Sequence, residues 1–224
     1  AWAALSLFLF APYIIARDKC SVDSPSAQRA LGERLLKEGG DASHAVACLR
    51  SALSFAEKSG DGQMKGEIQS LLADALEASG DVAAAEKILR KMMVDFPHSA
   101  VPFFKLGNIK KNAEDWNEAI GLYKRTLVLM PTLASARVNL AMCYRALRRF
   151  DDAIAEYRQA VKDAPTRADI FVNFGVTLDS AGKMEESEEA YRRAIKLDPL
   201  LYQAYFNLGV LLSESLKRRE DGVA

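Results

Sequence analysis

The sequence predicts an all-α chain, a solenoid of stacked helical hairpins. Two observations predict it: prolines at a strict spacing, and an apolar pattern that repeats in register with them. Pro97, Pro131, Pro165 and Pro199 stand 34 residues apart, and self-similarity at a period of this size marks stacked supersecondary units. When these prolines are placed at position 32 of a 34-residue frame, repeats begin at Gly66, Ala100, Ala134 and Ala168, and a partial fifth at Tyr202.

The elements follow in chain order. Residues 1–16 (AWAALSLFLFAPYIIA) carry no charge, and Arg17-Asp18-Lys19 follows at once. As a single helix this stretch would be about 24 Å long, short of the roughly 30 Å hydrocarbon core of a bilayer, and Pro12 interrupts it. Three expectations stay open: a membrane anchor, an apolar cap packed on the first repeat, or the remnant of a signal or transit peptide. For a membrane contact the candidate residues are Trp2, Phe8, Phe10, Tyr13, Ile14 and Ile15, with Trp2 and Tyr13 placed like an interfacial aromatic pair. Residues 17–26 read as a linker.

Residues 27–59 form a divergent repeat. Leu31-Gly32 match frame positions 7 and 8, Gly39-Gly40-Asp41 the turn, and Ala45, Leu49 and Ala52 the second helix. A terminal repeat is expected to be atypical because one of its faces has no neighbour. Six extra residues, Gly60 to Lys65, precede the next frame. Regular repeats then occupy 66–99, 100–133, 134–167 and 168–201. A lone first helix at 202–216 and a charged tail at 217–224 complete the chain.

Helix-on-helix packing explains the frame. Position 7 holds Leu72, Leu106, Leu140, Phe174 and Leu208; position 8 holds Ala73, Gly107, Ala141, Gly175 and Gly209. Position 20 holds Ala85, Ala119, Ala153 and Ser187, and position 24 holds Leu89, Tyr123, Tyr157 and Tyr191. Apolar residues at 4, 7, 8 and 11 share one face of a first helix, and those at 17, 20, 24 and 27 one face of a second. Small residues at 8 and 20 bring the two axes close, while large ones at 7 and 24 fill the space beside them. Glycine-bearing turns such as Ser79-Gly80-Asp81 and Ala181-Gly182-Lys183 part the helices. The position-32 proline ends each second helix, since it has no N–H and restricts its predecessor.

Composition narrows the chemistry. The 224 residues include 30 Lys+Arg and 30 Asp+Glu, a formal charge of zero, which argues against neutralising a polyanion such as nucleic acid. Cys20, Cys48 and Cys143 are far apart with no CxxC pair, which argues against a disulfide framework or a cysteine metal cluster; Cys48 and Cys143 are expected to pack as small apolar residues. His44 and His98 leave little material for a metal centre or a triad. No phosphate loop, nucleophile elbow or zinc-protease motif is present, and the acidic pairs Asp151-Asp152 and Glu185-Glu186 fall where second helices begin, where they complement the helix dipole. No enzyme and no cofactor are expected.

These residues resemble the tetratricopeptide repeat family, whose 34-residue helix–turn–helix carries this pattern. The resemblance covers Gly66 to about Leu216. It implies a right-handed superhelical solenoid, with first helices lining a concave groove at positions 2, 5, 6, 9, 12 and 13. Position 6 then places Asn139, Asn173 and Asn207 in a ladder broken upstream by Lys105 and Leu71, and an amide can grip a peptide backbone through both donor and acceptor. Position 5 adds Phe104, Val138, Val172 and Phe206; position 9 adds Asn108, Met142, Val176 and Val210. Together Asn139, Asn173, Asn207, Lys105, Asn108, Phe104, Val138, Val172, Phe206 and Met142 are the candidate partner-binding residues. The ladder is similar to that in the repeat domain of the O-linked N-acetylglucosamine transferase. No transferase domain follows within these residues, so only the groove chemistry carries over. The two-carboxylate clamp of chaperone-binding repeats is broken by Phe104, Asp169 and Asn173.

Groove charge changes sign along the chain, acidic at Glu67, Asp74 and Glu77 and basic at Lys105, Lys111 and Arg145. The expected function is a non-catalytic protein–protein interaction scaffold: a membrane-associated subunit or assembly factor of a multiprotein complex, or alternatively a soluble peptide-binding adaptor. Its expected partners are other proteins or an extended peptide segment. The expected location is a membrane, in an organelle such as a mitochondrion or chloroplast, with the cytoplasm as the alternative.

Overall fold

In the computed structural model, residues 24–221 are described, with side chains as far as Ser213, and every regular element among them is an α-helix. The helices are α1 (Pro25–Lys37), α2 (Ala42–Ser59), α3 (Gly62–Ala78), α4 (Val82–Asp95), α5 (Val101–Asn112), α6 (Trp116–Leu129), α7 (Ala134–Ala146), α8 (Phe150–Asp163), α9 (Ala168–Ser180), α10 (Met184–Leu197) and α11 (Tyr202–Asp221). They fall into two compact units that divide between Pro102 and Phe103, within α5.

In the first unit α1 packs on α2, α2 on α3 and α3 on α4. Ser24 caps α1 by accepting from the Ala27 amide, so this helix begins two residues before the end of the expected linker. Asp41, Asp61 and Asp81 cap α2, α3 and α4 in the same manner, each satisfying an amide that the helix start would leave bare. The six residues expected between repeats are mostly helical: with Asp61 as cap, α3 starts at Gly62 and runs longer than the frame requires. Gly32 lies against Leu49; a Cβ there would approach Leu49 Cγ to 2.6 Å. Only glycine lets these two helices approach so closely.

In the second unit α7 packs on α8, α9 on α10, and α11 on both α9 and α10. The close contact in each hairpin is the one the frame requires. A Cβ on Gly107 would lie 2.8 Å from Tyr123 Cε1, and one on Gly175 would lie 2.5 Å from Tyr191 Cε1. Tyr123, Tyr157 and Tyr191 are all fully buried. Pro131, Pro165 and Pro199 each stand two residues beyond the last residue of a second helix. The capping residues Met130, Ala164 and Asp198 still donate their amides back to Thr126, Ala160 and Ala194. The charged residues 217–221, expected as a tail, continue α11.

One turn position needs the left-handed conformation in every repeat. Gly80 and Gly182 adopt it with φ of 87° and 75°, and Glu114 and Arg148 occupy the same place with φ of 60° and 57°. A side chain there costs roughly 1–2 kcal/mol relative to glycine.

Position 4 of the third regular repeat departs from the apolar pattern. Arg137 of α7 reaches Asp163 through Nε at 2.7 Å and Glu156 through Nη1 at 3.2 Å, and its Nη2 donates to the Pro131 carbonyl at 2.7 Å. One guanidinium thus ties α7 to both α8 and the turn before α7.

Candidate functional site

In the second unit the helices α5, α7, α9 and α11 bring positions 5, 6, 9 and 12 together, and two adjoining hollows lie among them. The first, of about 690 Å³, is lined by Lys111, Asn112, Trp116, Met142, Arg145, Ala146, Arg148, Phe150 and Ser180. The second, of about 500 Å³, is lined by Arg145, Val172, Asn173, Val176, Tyr202, Gln203, Phe206 and Asn207. Arg145 belongs to both, so they form one furrow. Lys111, Arg145 and Arg148 line it, and neither lining contains a carboxylate. Arg148 also lies over the Phe150 ring, 5.9 Å from its centroid. The furrow is basic, with apolar and amide surface between its cations.

The expected site residues separate into three groups. Asn173, Asn207 and Phe206 line the second hollow and Met142 the first; the Asn173 and Asn207 side-chain amides have no hydrogen-bond partner among the described residues.

Asn139 and Asn108 are already engaged. Asn139 Nδ2 donates to Asn108 Oδ1 at 2.9 Å, Tyr123 donates to the same oxygen at 2.8 Å, and Lys111 Nζ donates to Asn139 Oδ1 at 3.3 Å. One rung of the expected ladder, Asn139, together with Asn108 of position 9, therefore braces α5 against α7 and holds a buried phenol. Burial pushes the Tyr123 hydroxyl far above its ordinary range, which keeps it a donor to Asn108.

Val138 and Val172 are core residues, only 7% and 6% exposed. Position 5 points between neighbouring hairpins, so a following first helix covers it; Val172 shares its cluster with Ala204 of α11. Phe104 is half-buried against the Tyr123 ring, with centroids 6.0 Å apart, and Lys105 is half-buried on α5. The candidate membrane residues Trp2, Phe8, Phe10, Tyr13, Ile14 and Ile15 lie outside the described residues. No described helix is long and apolar enough to cross a membrane.

The cysteines differ from one another. Cys143 is buried and free, and burial, opposed by the Lys111 charge, pushes its thiol up to about 11. It stays a thiol near neutral pH and is a poor nucleophile. Cys48 is buried and disulfide-bonded, which corrects the expectation that it only packs. His44 sits in α2, where its buried Nε2 makes no hydrogen bond. Among the described residues no group of three His, Cys, Asp or Glu could hold a metal ion.

Trp116, Arg148 and Phe150 at the furrow rim were not singled out by sequence as binding residues. They sit on the turn side of each hairpin, at frame positions 17, 15 and 17, where the period assigns packing or turn roles. The signal available was the left-handed position itself, where Arg148 stands in place of glycine.

A tetratricopeptide repeat model matches residues 132–200. Over these residues the chain carries tetratricopeptide repeats. No curated protein sequence matches it. Among solved structures, MamA is similar at 26% identity and a TM-score of 0.62, over 66% of this chain and 87% of that one. YrrB, described as a tetratricopeptide repeat protein with an unusual peptide-binding site, matches at 19% identity and TM-score 0.62, over 80% of this chain and 89% of its own. The first tetratricopeptide repeat domain of Spaghetti (RPAP3), bound to an HSP90 peptide, matches at 24% identity and TM-score 0.50, over 53% of this chain and 93% of that one. Tetratricopeptide repeats are protein-interaction modules, and some of these similar structures bind peptides.

Proposed function

We propose that this chain is a non-catalytic interaction scaffold whose second unit holds an extended, acidic segment of a partner protein in the Arg145 furrow. The observation that carries this reading is the shared Arg145, with Lys111 and Arg148 beside it, free amides at Asn173 and Asn207, and no carboxylate in the lining. Amides in register suit a peptide backbone, and unopposed cations suit acidic side chains. Replacing Asn173 and Asn207 by alanine is expected to leave the melting temperature nearly unchanged. It should weaken the partner by roughly 1 kcal/mol per net hydrogen bond lost. Displayed decapeptides selected against the full chain should be enriched in Asp and Glu, and Arg145→Glu should abolish that enrichment. Selection of neutral or basic peptides, or affinity indifferent to all three substitutions, would sink the reading.

Membrane association is the second part of the proposal, and the uncharged run of residues 1–16 favours it. Apolar surface of that extent is usually covered by lipid or protein. The full chain is expected to fractionate with membranes, and a chain starting at Ser21 to stay in the soluble fraction with its helical signal intact. The scaffold would then be a subunit or assembly factor of a membrane complex, in an organelle or at another membrane. Recovery of the full chain in the soluble fraction without detergent or partner would leave the soluble adaptor.

A further inference from the structure

Frame position 23 carries a large side chain in Ile88, Leu122 and Glu156 and a small one in Ala190. That position meets position 4 of its own hairpin, as in the Arg137 to Glu156 pair at 3.2 Å. One repeat earlier the same two places hold Phe103 and Leu122, 9% and 7% exposed. In the hairpin of α9 and α10, Phe171 stands opposite Ala190, and the missing side chain leaves a hollow of about 480 Å³ among α8, α9 and α10. Phe171, Phe174, Leu178 and Ala190 give it an apolar floor. Phe174 is held there by stacking on Tyr157, and Leu178 and Ala190 are 1% and 6% exposed. The gap lies inside the stack, between the hairpin of α7 and α8 and the hairpin of α9 and α10.

The rim is charged. Arg158 of α8 donates to Glu186 of α10 at 2.8 Å, an ion pair that joins one wall to the other, and Arg192 donates to Glu188 at 2.9 Å. Arg193 and Lys196, neighbours on the exposed side of α10, have no ion-pair partner among the described residues. Of the two lining carboxylates, Glu186 is engaged by Arg158 and only Glu189 is not. The uncommitted charge beside the floor is therefore positive.

We propose that this hollow is a second docking site, which takes one aromatic side chain of a partner protein's segment with an acidic residue beside it. The volume suits a single large group rather than a whole helix. Two rings in the floor favour a third ring laid against them, and Arg193 and Lys196 favour a neighbouring carboxylate through charge-assisted hydrogen bonds. The hollow shares no lining residue with the Arg145 furrow, so the two can fail separately.

The probe is an unlabelled pentapeptide, Gly-Asp-Trp-Asp-Gly, titrated into the full chain by calorimetry. Saturable binding is expected. It should weaken about tenfold when alanine replaces the tryptophan, and about tenfold when asparagine replaces both aspartates, as for the loss of an anchor contact. Ala190→Leu should weaken it as much without lowering the melting temperature, because the new side chain enters the hollow as Leu122 occupies the same position. Arg193→Glu combined with Lys196→Glu should also weaken it as much, and since both side chains are exposed the fold should stay intact. Arg145→Glu should leave this binding unchanged. Absence of saturable binding, or binding indifferent to Ala190→Leu, overturns the proposal. Loss of binding in the Arg145→Glu chain also overturns it, by placing the probe in the furrow. Displacement by decanoate at concentrations below the peptide's own Kd overturns it too, by assigning the hollow to a free amphiphile.

Discussion

Replacing Tyr157 by alanine is expected to destabilise the second unit by about 3–5 kcal/mol, the range for removing a large buried ring. The ring is fully buried. It packs against Phe174 with centroids 5.8 Å apart and rings inclined by 25°, so its loss opens a cavity between two repeats that neither can close alone. Urea titration followed by circular dichroism checks the value, and a loss under about 1 kcal/mol would mean that the ring does not fill this space. Because each repeat touches only its neighbours, the transition should also broaden as the fourth repeat uncouples. Tyr157→Phe separates the ring from its hydroxyl. The hydroxyl is buried without a hydrogen-bond partner, and the nearby Thr177 hydroxyl donates instead to the Asn173 carbonyl at 2.9 Å. Burial accordingly pushes this phenol up to about 12, against the Arg145 charge and Thr177. Deleting an unsatisfied hydroxyl is expected to cost nothing or to stabilise by about 1 kcal/mol.

Arg137→Met is the second large effect, expected to cost about 3 kcal/mol. Methionine fills similar volume, so the loss is electrostatic: Asp163 and Glu156 would each lose the cation that joins them, and the Pro131 carbonyl would lose its donor. Breaking a fully buried pair costs about 3–5 kcal/mol; here the Arg137 and Glu156 side chains keep 19% and 25% of their exposure, which places the expectation at the lower end. Arg137→Lys should recover little, because a point charge cannot reach both carboxylates and the carbonyl as the planar fork does. Adding Asp163→Asn to Arg137→Met should return part of the loss, and a double-mutant cycle measures the coupling. If Arg137→Met alone costs under about 1 kcal/mol, the network is a surface ornament.

Much of the fold was legible because the hairpin contact is written inside each repeat. Gly107 with Tyr123 and Gly175 with Tyr191 are partners within one 34-residue unit, and their spacing alone states the contact. The prolines that end the second helices are equally local. Arg137 was harder to place, since its position called for an apolar residue. Its partners Glu156 and Asp163 lie on the next helix, where charge alone does not distinguish an exposed pair from a bracing one.

The furrow was legible only in part. Asn139, Asn173 and Asn207 share one frame position, yet Asn139 is held by Asn108 and Lys111 from the preceding repeat, while Asn173 and Asn207 line open space. Val172 and Phe206 share another; Val172 is covered by α11, and Phe206, on the last described helix, is 68% exposed. By itself the sequence determined the hairpin, its period, its turns and its close contacts, because each follows from sterics and burial within a single repeat. Tertiary structure alone decided which repeated positions meet a partner and which are consumed by the fold, because that depends on the neighbouring repeat, and the period is blind to what the neighbour puts there.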